Sequence, residues 1–367
     1  MLKLFEVEGF KNFKDKITFD FSDVRDYKFN TECISNGMLG KCIVYGKNSV
    51  GKTNLGLAIF DIVSHLSSKH IDPSLYDYYL SANIHPEREA ALYHYVFSFD
   101  GSEIDYQYTK NDERSLIWES VVINGKLFYE YNYYGKSGDF CGLNELAPTL
   151  DLSMLDVESI LKYIVNNTIL PKEHTLRRMM TFISNMLWYR NSNHNKYIGY
   201  KTQNKYYYNF IFTGNNLTEF EDLLHTAGVG NDLMAVKDYD GVERLYFKAL
   251  KPMPFFSVAS SGTRALYTFF YWYKTAADVS LMFIDEFDAY YHYELSETIV
   301  KILEKMSNTQ VILTSHNTNL LSNRIMRPDC FFIMTESGLT SFANATDREL
   351  REGHNLEKLY MSGEFDG

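Results

Sequence analysis

The chain has 367 residues, 45% of them hydrophobic, and carries a formal net charge of −11 at pH 7. This length and apolar content suffice for one large domain or two modest ones, and the negative charge excludes a global basic field that would draw the chain onto DNA or an anionic membrane. No apolar run reaches 18 residues, no signal peptide opens the chain, and the four cysteines lack zinc-ligand spacing, which predicts a cytoplasmic protein with reduced thiols.

The first predicted elements are two strands of a hairpin, at residues 2–8 and 16–21, followed by an apolar strand at 41–45. Directly after that strand, Gly46 to Thr53 read G-K-N-S-V-G-K-T and fit the pattern G-x-x-x-x-G-K-[ST] at every fixed position. Apolar residues then recur at helical spacing up to Leu66, so a helix is predicted to begin at about Lys52.

A strand, this loop and a helix together predict a nucleoside-triphosphate site, in which backbone N–H groups and the helix dipole surround the phosphates. Lys52 would reach the β- and γ-phosphates, and the Thr53 hydroxyl would bind Mg²⁺. The further contacts of the loop would come from Gly46, Asn48, Ser49 and Gly51. The strand and the helix argue against the alternative, a glycine-rich turn that matches the pattern by chance.

Residues 67–250 are predicted to form a β portion followed by a helical one. An antiparallel sheet is predicted from four β-rich segments, at 92–100, 103–109, 116–123 and 126–131. From about 150 to 235 the apolar spacing predicts helices, one of them with Leu187 on its apolar face. We therefore divide the chain into an N-terminal core half (1–66), a β portion (67–150), a helical, tyrosine-rich insert (151–250) and a C-terminal core half (251–367).

One segment of the insert, 171–210, is basic and aromatic. Seven basic residues stand against one acidic residue, and they are Lys172, Arg177, Arg178, Arg190, Lys196, Lys201 and Lys205. One tryptophan and six tyrosines are interleaved with them, namely Trp188, Tyr189, Tyr197, Tyr200, Tyr206, Tyr207 and Tyr208. The segment is interpreted either as a docking surface for a nucleic acid or an acidic partner, or as a solvated helix face next to a tyrosine-rich loop.

Two apolar strands in the last third end in polar residues. The strand Leu281–Ile284 is followed by Asp285, which would hold Mg²⁺, and by Glu286, which would orient and partly deprotonate the attacking water. The strand Val311–Leu313 leads to His316, which would bond the γ-phosphate or that water.

A run of small residues with Ser260, Ser261 and Gly262 precedes a predicted helix that begins near Ala265. This run is interpreted either as a second anion-binding helix N-terminus or as an ordinary N-cap.

The motif order Gly46–Thr53, Ser260–Thr263, Ile284–Glu286 and Thr314–His316 resembles that of the ABC-type ATPases of the SMC/RecF/OLD-like branch. In that branch the four motifs are the Walker A loop, the signature, the Walker B strand and the switch histidine. The opening segment Phe5–Phe13 also resembles the first hairpin of the branch.

Two further segments resemble the ATPase subunits of bacterial phage-defence systems, a group that contains the AriA subunit of PARIS and the PtuA subunit of Septu. These segments are Asp285–Asp288 with His292, and the tail that begins at Arg327-Pro328-Asp329.

The resemblance implies an α/β fold, an ABC-ATPase P-loop core with a mixed sheet flanked by helices, an antiparallel β subdomain and an inserted helical subdomain. It implies ATP and Mg²⁺ as cofactors and a homodimer or higher homo-oligomer. In that assembly Ser260 and Gly262, with Ser261 as an alternative contact, close over the γ-phosphate held by another subunit. The segment lacks the leading Leu and closing Gln of the transporter signature, and Gln107 and Gln203 are the candidates for the Q-loop glutamine.

Three functional classes follow from the resemblance. The first is a phage-defence ATPase of the abortive-infection type that holds or releases a separate effector, such as a TOPRIM-type or other nuclease, in response to a phage protein. The second is a RecF- or SMC-like DNA-repair ATPase that binds DNA directly, through segment 171–210. The third, a transporter ATPase, is disfavoured because such cassettes have no place for the long insert at 67–250.

Overall fold

The strands of the chain assemble into two seven-stranded sheets and two smaller ones. The computed structural model describes residues 1–80, 89–151, 159–191, 195–202 and 207–365. The strands are β1 (Leu2–Glu8), β2 (Ile17–Asp20), β3 (Ile34–Ser35), β4 (Met38–Leu39), β5 (Lys41–Tyr45), β6 (Ala91–Phe99), β7 (Ser102–Lys110), β8 (Leu116–Ile123), β9 (Lys126–Asn132), β10 (Ser137–Asp139), β11 (Met186–Arg190), β12 (Tyr197–Gly199), β13 (Leu233–Lys237), β14 (Glu243–Phe247), β15 (Met253–Pro254), β16 (Leu281–Asp285), β17 (Gln310–Thr314), β18 (Phe331–Met334) and β19 (Leu339–Ser341). The helices are α1 (Lys52–Ile59), α2 (Asp61–Leu66), α3 (Cys141–Leu146), α4 (Ile160–Asn167), α5 (Thr175–Ser184), α6 (Asn216–Thr226), α7 (Phe255–Val258), α8 (Ser261–Thr275), α9 (Tyr293–Glu304) and α10 (Leu356–Met361).

The core sheet has the strand order β12-β11-β16-β17-β5-β18-β19. Its five inner strands run parallel, and the edge strands β12 and β19 are antiparallel to their neighbours. The strands β5, β16, β17 and β18 are buried at every residue, as expected when both faces of a parallel sheet are covered. Because the strands run parallel, their last residues lie at the same edge of the sheet, where α/β folds bind ligands. At four strands these last residues are Tyr45, Arg190, Asp285 and Thr314.

The second large sheet is antiparallel, with the order β10-β9-β8-β7-β6-β1-β2. It contains the predicted N-terminal hairpin and the four predicted β-rich segments, and buried residues alternate with half-buried ones along β6. Asn124 and Gly125 join β8 to β9 with φ angles of 50° and 77°, as a two-residue hairpin turn requires. Together the two sheets confirm the predicted α/β fold, a mixed core sheet flanked by helices with an antiparallel β portion.

The helices α1 and α2 lie between the two sheets. On one side, Gly56 packs so closely on the core sheet that a Cβ there would lie 2.7 Å from ring atoms of Phe283 and Trp188. On the other side, the Tyr95 hydroxyl donates to the carbonyls of Ala58 and Ile59, at 2.9 and 3.3 Å. The helix predicted over 52–66 is divided at Phe60, directly after the two carbonyls that accept hydrogen bonds from Tyr95.

A buried polar cluster fastens α2 to the antiparallel sheet. Lys110 Nζ donates to Asp61 Oδ2 at 2.7 Å and to the Ser64 hydroxyl at 2.8 Å, and the side chains of Lys110 and Asp61 are each 1% exposed. The hydroxyls of Tyr79 and Tyr108 also donate to Asp61, each at 2.8 Å. Each hydrogen bond of this cluster joins α2 to a residue packed against it. The cluster therefore fixes the position of α2 on the antiparallel sheet.

Lys110→Met is expected to destabilise the fold by about 3–5 kcal/mol, because it leaves the Asp61 carboxylate buried without its counter-ion. Urea unfolding followed by circular dichroism measures the change. The matched control is Lys301→Met, which removes a lysine paired with Glu297 on the exposed face of α9. An exposed pair of this kind contributes about 0.3–0.5 kcal/mol. Equal losses in the two variants would contradict the role given to the cluster.

The prediction that Leu187 lies on a helix face is wrong. Helices do form at α4, α5 and α6, but Leu187 belongs to β11, which runs between β12 and the strand that ends in Asp285. Four consecutive residues of β11 are buried, as in a central parallel strand. Apolar spacing alone does not distinguish a short buried strand from the end of a helix. Two core strands, β11 and β12, thus come from the segment predicted to be a helical insert.

The described residues of segment 171–210 do not form one basic aromatic surface. Four of its aromatic side chains are core residues, namely Trp188, Tyr189, Tyr197 and Tyr207. Three of its cations lie beside separate acidic residues: Arg178 pairs with Asp100, Lys196 approaches Asp72 and Arg190 pairs with Asp285. Lys205 and Tyr206 lie outside the described residues. The four buried side chains fit neither interpretation, and for the other residues of the segment both the docking surface and the solvated face stay predictions.

Two smaller predictions concern thiols and membranes. All four cysteines are free: Cys33, Cys42 and Cys330 are buried, and Cys141 is exposed. Burial raises the pKa of the Cys42 thiol well above its usual range, which keeps that thiol protonated. Among the described residues, no helix has the length and apolar content needed to cross a membrane.

Candidate functional site

The loop between β5 and α1 has the backbone conformation of a phosphate-binding loop. Ser49 and Gly51 have φ angles of 68° and 112°, in the left-handed region. A Cβ at Gly46 would lie 2.6 Å from the Met334 carbonyl oxygen, and one at Gly51 would lie 2.6 Å from the Phe13 ring. Both glycines of the sequence motif are therefore required by close approach, and α1 begins at Lys52 as predicted.

The N-terminal hairpin supports this loop. The Asn12 side chain donates to the Val50 carbonyl at 3.0 Å and accepts a hydrogen bond from the Asn54 side chain at 2.7 Å. Asn12 thus connects the bend of the hairpin to both the loop and the first turn of α1.

Lys52 lies inside the loop. Its Nζ donates to the carbonyls of Gly46 and Lys47, at 2.8 and 3.0 Å, and lies 3.4 Å from His316 Nδ1. Burial lowers the pKa of Lys52 to about 8, although the charges of Asp285 and Glu286 oppose the shift. Burial and the neighbouring Lys52 charge lower the pKa of His316, so its ring is neutral at pH 7 and one ring nitrogen can accept a hydrogen bond.

Asp285 is fully buried at the end of β16, where three neighbouring side chains donate to it. The Thr53 hydroxyl donates to Oδ2 at 2.9 Å, and the Thr314 hydroxyl donates to Oδ1 at 3.0 Å. Arg190 donates to Oδ2 from Nε at 2.9 Å and from Nη2 at 2.7 Å. Strands β11 and β17 flank β16, so this arrangement depends on the order of the core sheet.

Glu286 follows with a φ of 51°, which is a left-handed conformation for a non-glycine residue. Its backbone N–H donates to the Thr314 hydroxyl at 2.7 Å, so Thr314 holds both Asp285 and Glu286. Such a conformation costs about 1–3 kcal/mol and is concentrated at functional sites. The turn lets Glu286 leave the strand and line the cavity beside Lys52.

These residues surround a cavity of about 180 Å³. The described residues that line it are Asn48, Ser49, Gly51, Lys52, Thr53, Asn54, Asp285, Glu286 and His316. The structure therefore brings together the predicted catalytic residues, the predicted metal ligands and most of the predicted phosphate contacts. Gly46 lies behind the cavity, where its carbonyl accepts from Lys52.

The predicted signature residues do not line this cavity. Ser260 is the N-cap of α8, and its hydroxyl accepts from the Thr263 N–H at 3.1 Å. Ser261 begins the helix, and Gly262 lies against the Tyr290 carbonyl, to which a Cβ at that position would approach within 2.9 Å. The N-cap interpretation is thus correct for Ser260, and a role toward a nucleotide would require a second subunit.

The Thr53 hydroxyl and the Asp285 carboxylate fit Mg²⁺. Both present oxygen atoms, which are the ligands this ion takes, and Mg²⁺ in nucleotide sites is held by one or two protein groups together with phosphates. Thr53 Oγ1 and Asp285 Oδ2 are 2.9 Å apart, so one small ion can contact both.

The sequence alone indicated no role for Arg190 and left the Q-loop glutamine unassigned, with Gln107 and Gln203 as candidates. Gln107 lies in β7 of the antiparallel sheet, where its side chain donates to Asp105 at 3.0 Å, and Gln203 lies outside the described residues. The residue that ends the strand beside β16 is Arg190, opposite Asp285. The run Met186–Tyr189, apolar and aromatic and followed by a charge, is the signal that would have indicated this strand.

Comparison with known proteins gives one family and several structural similarities. The family described as "AAA domain, putative AbiEii toxin, Type IV TA system" matches residues 42–322, which include the phosphate loop and both acidic residues. No curated protein sequence matches the chain.

Among solved structures, the chain is similar to SMC head domains. A head bound to the C-winged helix domain of ScpA is 13% identical, with a TM-score of 0.45, and the alignment covers 92% of this chain and 96% of that one. The head domain from Thermotoga maritima is 14% identical, with a TM-score of 0.44 and coverage of 93% and 98%. A head with an extended coiled coil, bound to the C-terminal domain of ScpA derived from Pyrococcus furiosus, is 12% identical, with a TM-score of 0.45 and coverage of 92% and 95%.

Proposed function

Because the chain belongs to this AAA-domain family, we propose that it binds ATP with Mg²⁺ at Gly46–Thr53 and hydrolyses it, as the ATPase subunit of a bacterial anti-phage defence system of the abortive-infection type. The observation that carries the ATPase proposal is the convergence of Lys52, Asp285 and Glu286 on one cavity at the carboxyl edge of the core sheet. Phosphoryl transfer to water needs a cation, a carboxylate that can hold a metal and a second acidic residue.

Each residue has a defined task in this proposal. The backbone N–H groups of the loop and the Lys52 ammonium bind the phosphates, and Thr53 and Asp285 hold Mg²⁺. The bound ion neutralises charge on the β- and γ-phosphates. Glu286 orients the attacking water and accepts its proton, and the neutral ring of His316 bonds the water or the γ-phosphate.

The site is completed by a second copy of the chain. Ser260, Ser261 and Gly262 lie at the start of α8, outside the cavity. Around them the surface exposes apolar side chains: Val258 is 49% exposed and Tyr290 is 43% exposed. An ATP-dependent dimer would cover these side chains and place the small residues of α8 on the γ-phosphate of the partner. This proposal makes dimerisation depend on bound ATP.

The defence role rests on the family description, which names an AbiEii toxin and a type IV toxin–antitoxin system, and on the resemblance to phage-defence ATPases. In this role the ATP-bound assembly holds a separate effector protein, and hydrolysis resets the assembly. The direct DNA-binding alternative has less support, because three of the seven basic residues of segment 171–210, Arg178, Arg190 and Lys196, approach separate acidic residues of the chain itself.

The test is the solution mass of Glu286→Gln with and without ATP and Mg²⁺, alone and with the product of the adjacent gene. An ATP-dependent dimer that takes up the neighbouring protein is expected. Binding of DNA without the neighbour, with an affinity that falls steeply with salt, would instead favour the repair function. Wild-type protein with EDTA is the control for metal-dependent assembly.

The proposal also predicts that ATP affinity falls above pH 8. In the protein without nucleotide, the pKa of Lys52 is about 8. The side chain therefore loses its charge as the pH rises through that value, whereas phosphate binding requires the charged form. One linked proton weakens binding tenfold per pH unit above the pKa, so about tenfold weaker binding is expected at pH 9 than at pH 7. Calorimetric titration with ATP and Mg²⁺ at each pH measures this change in ATP affinity.

The control for this pH profile is Lys47→Ala, which removes the exposed lysine of the same loop and leaves the carbonyl contact to Lys52. It should keep the slope of the wild-type protein. A wild-type affinity that is constant from pH 7 to pH 9 would show that Lys52 does not contact the phosphates in its charged form.

A further inference from the structure

Arg190 contacts both residues that would hold Mg²⁺. It ends β11 opposite Asp285, in the parallel register of β11 with β16. Its Nη2 lies 2.7 Å from Asp285 Oδ2 and 3.0 Å from the Thr53 hydroxyl oxygen, and its Nε lies 2.9 Å from the same carboxylate oxygen. One guanidinium group therefore bonds the two oxygen atoms assigned to the metal.

The electrostatics of the strand end explain this contact. The Asp285 side chain is fully buried, and a buried carboxylate without an opposite charge is costly. Burial alone would lower the pKa of Arg190, but the Asp285 charge and its hydrogen bonds outweigh burial and raise it. Arg190 is therefore a permanent cation that balances Asp285.

Asp285 Oδ2 already accepts from three donors, Arg190 Nε, Arg190 Nη2 and the Thr53 hydroxyl, so no lone pair of that oxygen is left for Mg²⁺ while all three contacts are made. Mg²⁺ binds oxygen at about 2.0–2.1 Å, within the space that the Arg190 nitrogens take at Asp285 Oδ2, and the two groups carry like charge. The Arg190 side chain is 34% exposed, so it can turn toward solvent without unpacking the core. Metal binding at this site thus requires a movement that the side chain is free to make.

The neighbouring backbone is anchored, so this movement is confined to one side chain. The Asn191 N–H donates to the Asp285 carbonyl at 3.1 Å. Its side-chain amide donates to the Phe287 carbonyl at 2.6 Å and to the Tyr291 hydroxyl at 2.7 Å. These bonds hold the end of β11 against the segment after β16 whichever way Arg190 points.

We propose that Arg190 is an internal counter-ion that competes with Mg²⁺ for Thr53 and Asp285, and that it leaves them when the metal binds. The inference rests on the proposed metal site and adds a regulation to it: Arg190 lowers the affinity for the metal and keeps Asp285 neutralised when no metal is bound. Mg²⁺ then binds only where the free energy gained from its ligands exceeds the free energy lost with the Arg190 contacts. Bound ATP meets this condition because it supplies further oxygen ligands.

The test is the affinity for Mn²⁺, a paramagnetic substitute for Mg²⁺, measured by electron paramagnetic resonance on the full chain without nucleotide. In Arg190→Met, Mn²⁺ should bind on the order of tenfold more tightly, because no hydrogen bonds to a charged group must be broken first. Arg190→Lys, which keeps the charge, should stay close to the wild-type affinity. An unchanged or weaker Mn²⁺ affinity in Arg190→Met would overturn the proposal.

Two controls and one replacement variant make the result specific. Arg178→Met removes an arginine whose partner is Asp100, away from the cavity, and should leave Mn²⁺ binding unchanged. Asp285→Asn added to Arg190→Met should abolish the gain, which locates the ion at this site. If Arg190→Met is unfolded at the temperature of the assay, Arg190→Gln replaces it. Glutamine can form hydrogen bonds but carries no charge, so the same gain in Mn²⁺ affinity is expected.

Failure of this inference is distinguishable from failure of the proposed function. Wild-type protein that binds ATP with Mn²⁺, together with an unchanged Mn²⁺ affinity in Arg190→Met, would reject the counter-ion role alone. Wild-type protein that binds no ATP under any metal condition would reject the ATPase proposal, and the Mn²⁺ titration without nucleotide would still decide the role of Arg190.

Discussion

Lys52→Ala is expected to abolish ATP binding, with an affinity at least on the order of 100-fold lower than that of the wild-type protein. The Lys52 ammonium is held by the Gly46 and Lys47 carbonyls at the inner side of the phosphate loop. Removing it leaves the triphosphate facing Asp285 and Glu286 with no lysine charge beside them. Equilibrium titration with a fluorescent ATP analogue in the presence of Mg²⁺ measures the loss.

Lys47→Ala is the matched control, since Lys47 is a lysine of the same loop whose side chain is exposed. Its affinity should remain within about threefold of wild type, as expected for the loss of one exposed charge. Circular dichroism spectra of both variants establish that the fold is retained. A Lys52→Ala protein that binds ATP as tightly as Lys47→Ala would place the phosphates somewhere other than this loop.

Glu286→Gln is expected to retain ATP binding and to lose hydrolysis by a factor of about 10²–10⁴, the contribution of a positioned general base. The amide keeps the size of the side chain, and the backbone bond from the Glu286 N–H to Thr314 does not involve it. The left-handed turn at Glu286 is therefore preserved, and the loss reports the missing carboxylate. Phosphate release under single-turnover conditions measures the rate.

The matched control for this variant is Glu294→Gln, which changes an exposed glutamate in the first turn of α9. Wild-type hydrolysis is expected for it. A wild-type rate in Glu286→Gln would show that Glu286 is not the base and would leave His316 as the other candidate beside the cavity. Loss of ATP binding in Glu286→Gln would show instead that the carboxylate has a binding role.

Much of the site could be predicted because its motifs are local. Eight consecutive residues form the phosphate loop, since glycines at Gly46 and Gly51 allow backbone positions that other residues would block. Asp285 and His316 were identifiable because each follows an apolar strand, and parallel strands end at one edge of a sheet. The antiparallel sheet was also predictable, because its strands are neighbours in the chain and join by short turns.

The interpretation of the middle of the chain failed where strand pairing is distant in sequence. β11 pairs with β16, which lies more than 90 residues later, and no local pattern indicates that pairing. Without it, Leu187 fits the spacing of the preceding helix, and the aromatic residues after it suggest a surface. Once β11 lies in the core sheet, the same residues are buried and Arg190 stands beside Asp285.

By itself, the sequence determined the nucleotide loop, the two acidic residues at the end of the Leu281 strand and the alternation of the antiparallel sheet, because each depends on spacing within a few residues. Only the tertiary structure decided that Arg190 neutralises Asp285, that Thr314 holds both acidic residues, and that Ser260 to Gly262 lie outside the cavity. The physical reason is that a side chain's partner depends on which strands become neighbours, and that order is set by burial over the whole chain.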